Sequence, residues 1–221
     1  MEGSPGTAAP LVTVERPAAG DAEGLLVLHH GRGTDERDLL GLGDALDPER
    51  RLRVVSARGP LQLPGWRGYH WYVVPEVGYP DPQTFEAARA ALAALHDRLW
   101  AETGVGPEMT VLAGFSMGAV MSHALGWSGD RPALAGVLAF SGFVPTVAGW
   151  EPSFADRTST RALVAHGDRD PVIDVGFGRA ARDLLERGGI DVTYLETQVG
   201  HQIDPASLAA ASAWLPETLG L

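Results

Sequence analysis

Residues 112–125 read LAGFSMGAVMSHAL, and this stretch decides the fold. The apolar run Met109–Ala113 meets Gly114, Phe115, Ser116, Met117 and Gly118, and a helix-like run follows. The pattern is G-x-S-x-G, set where a strand becomes a helix. So tight a turn presses strand end against helix start, and the positions two before and two after the serine tolerate almost no side chain. The turn lifts the hydroxyl out of the sheet edge, and the helix N-terminus behind it favours developing negative charge. With 28 glycines in the chain, chance alone gives this pattern about 0.2 times. The apolar run before it and the small residues Gly118 and Ala119 after it give it weight. Ser116 is the candidate nucleophile.

The rest of the chain supplies the sheet that such a turn needs. Short apolar runs at Leu11–Arg16, Gly24–His29, Leu52–Ala57, Met109–Ala113, Ala135–Phe140, Arg161–His166 and Asp191–Thr197 read as strands buried on both faces. Between them lie helical patterns. Phe85, Ala88, Leu92, Leu95 and Leu99 form one stripe, which Gly104 is placed to end. Asp204 and Pro205 make an N-cap and first-turn proline, with Leu208, Ala211 and Leu215 on one face. Asp35–Leu46 and Gly178–Arg187 are weaker helical patterns. Strand alternating with helix predicts an α/β fold: an open, mostly parallel sheet with helices on both faces and ligands at the carboxyl ends of the strands.

Length and composition bound the function. The 221 residues suit one domain over residues 11–221, with residues 1–10 read as a mobile N-terminal tail. A net charge of −11 argues against nucleic acid or anionic lipid as the main partner. The chain has no cysteine, which excludes disulfides, thiolate metal sites and a cysteine nucleophile. All 17 basic residues are arginine, which excludes a lysine Schiff base. The first ten residues lack the basic start and apolar core of a signal peptide, and no apolar run reaches membrane-spanning length. The expectation is a cytoplasmic protein acting on a small molecule, with self-association into a homodimer left open.

A serine nucleophile needs a base, and the base needs an orienting carboxylate; on this kind of turn they follow in the order Ser, Asp or Glu, His. His201, in LETQVGHQID between the last strand and the helix capped by Asp204, is the candidate base. His166 lies within the apolar run RALVAHG, where a structural role is expected. HGDRDPVID offers Asp168, Asp170 and Asp174 as acid. Asp170 precedes Pro171, which restricts it to extended geometry, whereas Asp168 suits a turn carboxylate, so Asp170 is preferred and Asp168 stays open. Two oxyanion amides are needed: the NH of Met117, just after the serine, and one from the loop HHGRGTDERD, where glycines flank Arg32. His29 and His30 point to opposite faces of a strand, so no shared metal is expected. Neither metal nor organic cofactor is needed.

Together, LHHGRGTDERDLLGL, RGPLQLPGWRGYHWYVV, GFSMGAVMSHAL, HGDRDPVI and GHQI resemble the phospholipase/carboxylesterase family of α/β-hydrolases, which includes small bacterial carboxylesterases, lysophospholipases and acyl-protein thioesterases. They span residues 25 to 203 in family order. The resemblance implies an α/β-hydrolase fold with Ser116 as nucleophile, Asp170 as acid, His201 as base, and Arg32 and Met117 as oxyanion donors. Two departures stand out: many relatives carry one histidine where this chain has His29 and His30, and the GHQI segment is short.

About 20 residues separate the fifth and sixth strands, too few for an independent cap domain. In the aromatic segment containing Trp66, Tyr69, Trp71, Tyr72 and Tyr79, Trp71 is expected to pack inward. Trp66 and Tyr69, beside glycines, are candidates for an apolar wall of the substrate site. Phe143 and Val144 are candidates for an acyl pocket. The expected activity is hydrolysis of small, short-acyl esters by a serine carboxylesterase. The alternatives are a lysophospholipase or acyl-thioesterase with the same triad and, more remotely, a non-catalytic binding protein on the same scaffold.

Overall fold

Seven segments pair edge to edge into one sheet: β1 (Thr13–Arg16), β2 (Gly24–His29), β3 (Leu52–Ala57), β4 (Thr110–Phe115), β5 (Gly136–Phe140), β6 (Arg161–Gly167) and β7 (Asp191–Thr197). The computed structural model describes residues 10–221, so the expected N-terminal tail lies outside the described residues except for Pro10. The strand order is β1-β3-β2-β4-β5-β6-β7, and only β1 runs antiparallel to its neighbour. β4 runs two residues beyond the expected strand, because Gly114 pairs with Ala139 and Phe115 with Phe140. The first glycine of the motif is thus a ladder residue, and the turn begins only at Ser116.

Among the described residues five α-helices cover the sheet: α1 (Leu40–Leu46), α2 (Pro82–Thr103), α3 (Met117–Gly126), α4 (Val175–Arg187) and α5 (Pro205–Leu219). Alternation along β2 sorts them to two faces. Leu25 and Val27 share a core with α2 and α3, whereas Leu26 and Leu28 share one with α1 and α5. Val137, Ala162 and Val164 meet Leu185 of α4 in a third cluster. Strands covered on both sides must be apolar throughout, which explains their unbroken hydrophobic runs.

Local signals set the helix ends. The stripe from Phe85 to Leu99 is buried, Asp81 accepts a hydrogen bond from the Thr84 NH at 2.9 Å, and Gly104 ends α2 at φ 71°. Asp204 caps α5 through the NH groups of Ala206 and Ser207, and its other oxygen accepts from Thr197 Oγ1 at 2.8 Å. That cap ties the helix to the end of β7. α1 starts at Leu40 rather than Asp35, because the Asp35 carboxylate accepts the Arg37 NH at 2.9 Å and holds the preceding residues in turns. α4 starts three residues earlier than expected, at Val175, because Asp174 caps it through Gly176 NH.

No cap domain rises between β5 and β6. Residues 141–160 fold down instead, burying Phe143, Val147 and Trp150 beside α2, and Trp150 Nε1 donates to Ser128 Oγ at 3.1 Å. Among the described residues no helix is long and apolar enough to cross a membrane. The chain leaves β2 towards β3 on one side and β4 towards β5 on the other. The crevice at this reversal, at the carboxyl ends of β2 and β4, is where an open parallel sheet holds its ligand.

Candidate active site

Ser116 occupies that crevice with φ 55° and ψ −120°, a backbone region rare for a residue with a side chain. Such a conformation costs about 1–3 kcal/mol and persists only where its surroundings impose it. Here the Ser116 NH donates to Phe140 O at 2.9 Å, and the glycines permit the approach. A side chain at Gly118 would run into the carbonyls of His29 and His30; one at Gly114 would run into Gly118 itself. The strand, the helix and the neighbouring loop meet backbone to backbone around the serine.

His201 Nε2 lies 2.8 Å from Ser116 Oγ, and His201 Nδ1 lies 2.6 Å from Asp170 Oδ2. An ionised carboxylate can only accept, so Nδ1 carries the proton and Nε2 is free to accept from the serine hydroxyl. Burial pushes the Asp170 carboxyl up, but the amides of Ile173 and Val172 and the His201 ring outweigh it and hold it below its ordinary range. Those amides donate to Oδ1 at 2.9 and 2.8 Å. Phe115 packs on the His201 ring, with centroids 4.8 Å apart.

Of the other acid and base candidates, Asp168 and Asp174 lie apart from this chain of contacts, whereas His166 Nε2 lies 3.5 Å from Asp170 Oδ2. The Asp168 carboxylate reaches only towards Arg169, at 3.8 Å, while its backbone NH bonds Thr197 O. Asp174 caps α4. His166 is buried, and its Nε2 donates to Ile173 O at 2.9 Å, bracing the turn that holds Asp170.

Arg32 and Met117 border the same cavity as Ser116, and among the described residues neither backbone NH has a hydrogen-bond acceptor. Met117 NH opens the first turn of α3. The loop carrying Arg32 is held from several sides. The Gly33 NH donates to Tyr69 O at 2.9 Å, and the Tyr69 NH donates to Thr34 O at 2.7 Å. Trp71 is fully buried, and its Nε1 donates to His30 O at 2.9 Å. The Gly59 NH donates to His30 Nε2, which leaves the His30 proton on Nδ1, 2.7 Å from Gly31 O. His29 turns to the opposite face, to Ser122 Oγ at 2.9 Å. Burial pushes its pKa well below the ordinary histidine value.

The cavity at Ser116 is about 60 Å³ and mostly apolar, lined by Tyr72, Val74, Val77, Phe143 and Ile173, with Val172 exposed at its mouth. Of the four pocket candidates from the sequence, Phe143 reaches it. Trp66 instead stacks on the Arg32 side chain, 4.4 Å from guanidinium carbon to ring centroid. Tyr69 stacks on Arg58 and accepts from it at 3.2 Å. Val144 lines a separate hollow formed by residues 144–152. Tyr72 was read from the sequence only as part of the aromatic segment, and Val172 and Ile173 were not singled out. Two apolar residues directly after Asp170-Pro171, in a loop otherwise polar, were the available signal for the last two.

A profile of the phospholipase/carboxylesterase family matches residues 12–219. Esterase YpfH of Escherichia coli K12 is 32% identical over 204 residues, covering 90% of this chain and 84% of that protein. Acyl-protein thioesterase 1 of Gibberella zeae is 27% identical, covering 98% of each. Among solved structures, esterase PE8 matches at 32% identity with a TM-score of 0.80, covering 95% of this chain and 100% of that one. A Bacillus cereus carboxylesterase shares the fold at 24% identity and a TM-score of 0.82, covering 94% of each.

Proposed function

The chain belongs to the phospholipase/carboxylesterase family, and from that membership we propose that it is a serine carboxylesterase acting on small, short-acyl esters. The observation that carries the proposal is the unbroken contact from Ser116 Oγ through His201 to Asp170, at 2.8 and 2.6 Å. Ser116 Oγ adds to the ester carbonyl carbon while its proton passes to His201 Nε2. The negative charge that develops on the carbonyl oxygen accepts hydrogen bonds from the NH groups of Arg32 and Met117. His201 then returns the proton to the departing alkoxide, and an alcohol leaves. Water adds to the acyl-enzyme, losing a proton to His201, and the carboxylic acid leaves as Ser116 regains its hydrogen. Asp170 holds the imidazole in the working tautomer and stabilises its protonated form.

The second reading, an acyl-thioester hydrolase, uses the same residues. It is favoured by the likeness to acyl-protein thioesterase 1 of Gibberella zeae along nearly the whole chain and by the exposed Val77 and Val172 at the cavity mouth. Matched oxyesters and thioesters of one acyl group, with lysolipid alongside, separate the readings. The carboxylesterase is expected to give its highest kcat/KM on the oxyester. A clear preference for the thioester or lysolipid would transfer the assignment. No turnover of any of the three would favour a binding protein on this scaffold.

A further inference from the structure

Arginine side chains in this protein have carboxylates in plenty, with 28 acidic residues for 17 basic ones. Arg58 is paired with Glu36, Arg131 with Asp97 and Arg179 with Glu196. Among the described residues the guanidinium groups of Arg32, Arg67 and Arg187 make no ion pair and no hydrogen bond, and of these three Arg32 borders the cavity that holds Ser116. Glu76 lines the same cavity without pairing with it.

The guanidinium is nevertheless held in place. It lies over the Trp66 ring at 4.4 Å, and Trp66 in turn meets the buried His70 edge to face, with centroids 5.4 Å apart. A stacked guanidinium keeps its in-plane N–H donors free, and that planar fork matches a carboxylate or phosphate. The rest of the lining is largely apolar and gives an anion no other cationic side chain, its other side-chain donors being the neutral hydroxyls of Tyr72 and Ser116. The backbone of Arg32 is already committed to the oxyanion by the proposal above, so its side chain leaves the loop a short distance from the reacting carbonyl.

Resting on the serine esterase reading, we propose that the Arg32 side chain, oriented by Trp66, is a specificity determinant that selects esters carrying a second, anionic oxygen group near the scissile bond. The anion resides in either the acyl part or the alcohol part of the ester, and both place the same chemistry before the guanidinium. The surface as a whole repels anions, with a net charge of −11, so a preference for them has to come from a local cation.

The test is a ratio of kcat/KM values measured within each protein, which cancels any change in the oxyanion hole. One pair sets mono-p-nitrophenyl glutarate against p-nitrophenyl pentanoate, and the other sets 3-carboxyphenyl butanoate against phenyl butanoate, each corrected for uncatalysed hydrolysis. The wild-type protein is expected to favour the anionic partner by about tenfold in at least one pair, which identifies the side that carries the charge. Arg32→Gln brings that ratio to about one or below, and Arg32→Lys retains part of it. Trp66→Leu, which leaves the charge but removes its platform, lowers the ratio part of the way and supplies a second, independent reading. Raising salt from about 0.05 M to about 0.5 M shrinks the wild-type ratio, whereas that of Arg32→Gln does not fall and rises as far as the background repulsion is screened. A wild-type ratio near one in both pairs, or a ratio that Arg32→Gln leaves in place, overturns the inference while the esterase reading stands. Failure of the wild-type protein to hydrolyse even the neutral partners removes that reading, and the inference with it.

Discussion

Ser116, His201 and Asp170 form a relay only while each proton is where its neighbour requires it. In the proposed mechanism, removing the nucleophile or the base leaves only the oxyanion donors, so Ser116→Ala and His201→Ala are each expected to lower turnover about 10⁴-fold or more with unchanged circular dichroism. Asp170→Asn is expected to be severe, because an amide NH₂ facing Nδ1 favours the wrong tautomer. Asp168→Asn, whose carboxylate reaches only towards Arg169, is expected to stay within about threefold of wild type. Steady-state rates on one ester rank the four variants, and an Asp168 effect larger than that of Asp170 would reverse the assignment of the acid. That Ser116 and His201 would come together was legible in sequence, because a turn motif and a loop position single them out. Choosing between two aspartates two residues apart depends on which way a turn points, and that is set by the amides of Val172 and Ile173 and by His166 behind them.

In the proposed mechanism the loop after β2 has to hold the Arg32 amide still, and one of its braces is an ion pair. Glu36 is almost fully buried, and both its oxygens accept from Arg58 at the end of β3, at 2.6 and 2.8 Å, while Tyr69 stacks on the same guanidinium. The Arg58 hydrogen bonds hold the Glu36 carboxyl at about 2, against its ordinary 4.5. A carboxyl lowered by folding stabilises the fold fully above its unfolded value and loses that contribution as pH falls through its folded one. Glu36→Gln is therefore expected to cost about 2 kcal/mol near pH 7, roughly 4–8 °C in Tm. The gap to wild type should close between about pH 4.5 and about pH 2. Thermal melts across that range check it, and a gap that persisted undiminished at pH 2 would mean the carboxylate charge is not what braces the loop. Gly118→Ala tests the other side of the same junction: a methyl group facing the carbonyls of His29 and His30 is expected to cost about 3 kcal/mol or more. The sequence disclosed this loop by its glycines but not its brace, since Glu36, Arg58 and Tyr69 are far apart in the chain. For that reason Tyr69 read as a wall of the substrate site.

At the scale of the molecule, the strand pattern was readable almost throughout, because a sheet covered on both faces leaves unbroken apolar runs. The helix starts at Leu40 and Val175 were less so, since side-chain caps compete with the helix over a few residues. The cavity beside Ser116 was the least legible part, being assembled from Tyr72, Phe143 and Ile173 on three separate loops. The cavity beside Ser116 is about 60 Å³ and has no cap, so on the short-acyl reading its walls follow only the first carbons of an acyl chain. Each buried methylene adds up to about 0.8 kcal/mol, or roughly fourfold in kcat/KM, while there is wall for it to touch. Specificity for straight-chain p-nitrophenyl esters is expected to peak near about four to six acyl carbons, with no jump in rate at the solubility limit of the substrate. A rise continuing through about twelve carbons would favour a lysophospholipase. The most direct test of the whole scheme is covalent. Intact-mass and peptide mass spectrometry after treatment with a fluorophosphonate should find one adduct, on the peptide holding Ser116, absent in Ser116→Ala and accompanied by complete loss of esterase activity. An adduct on another residue, or ester hydrolysis that continues with Ser116 fully labelled, would contradict it.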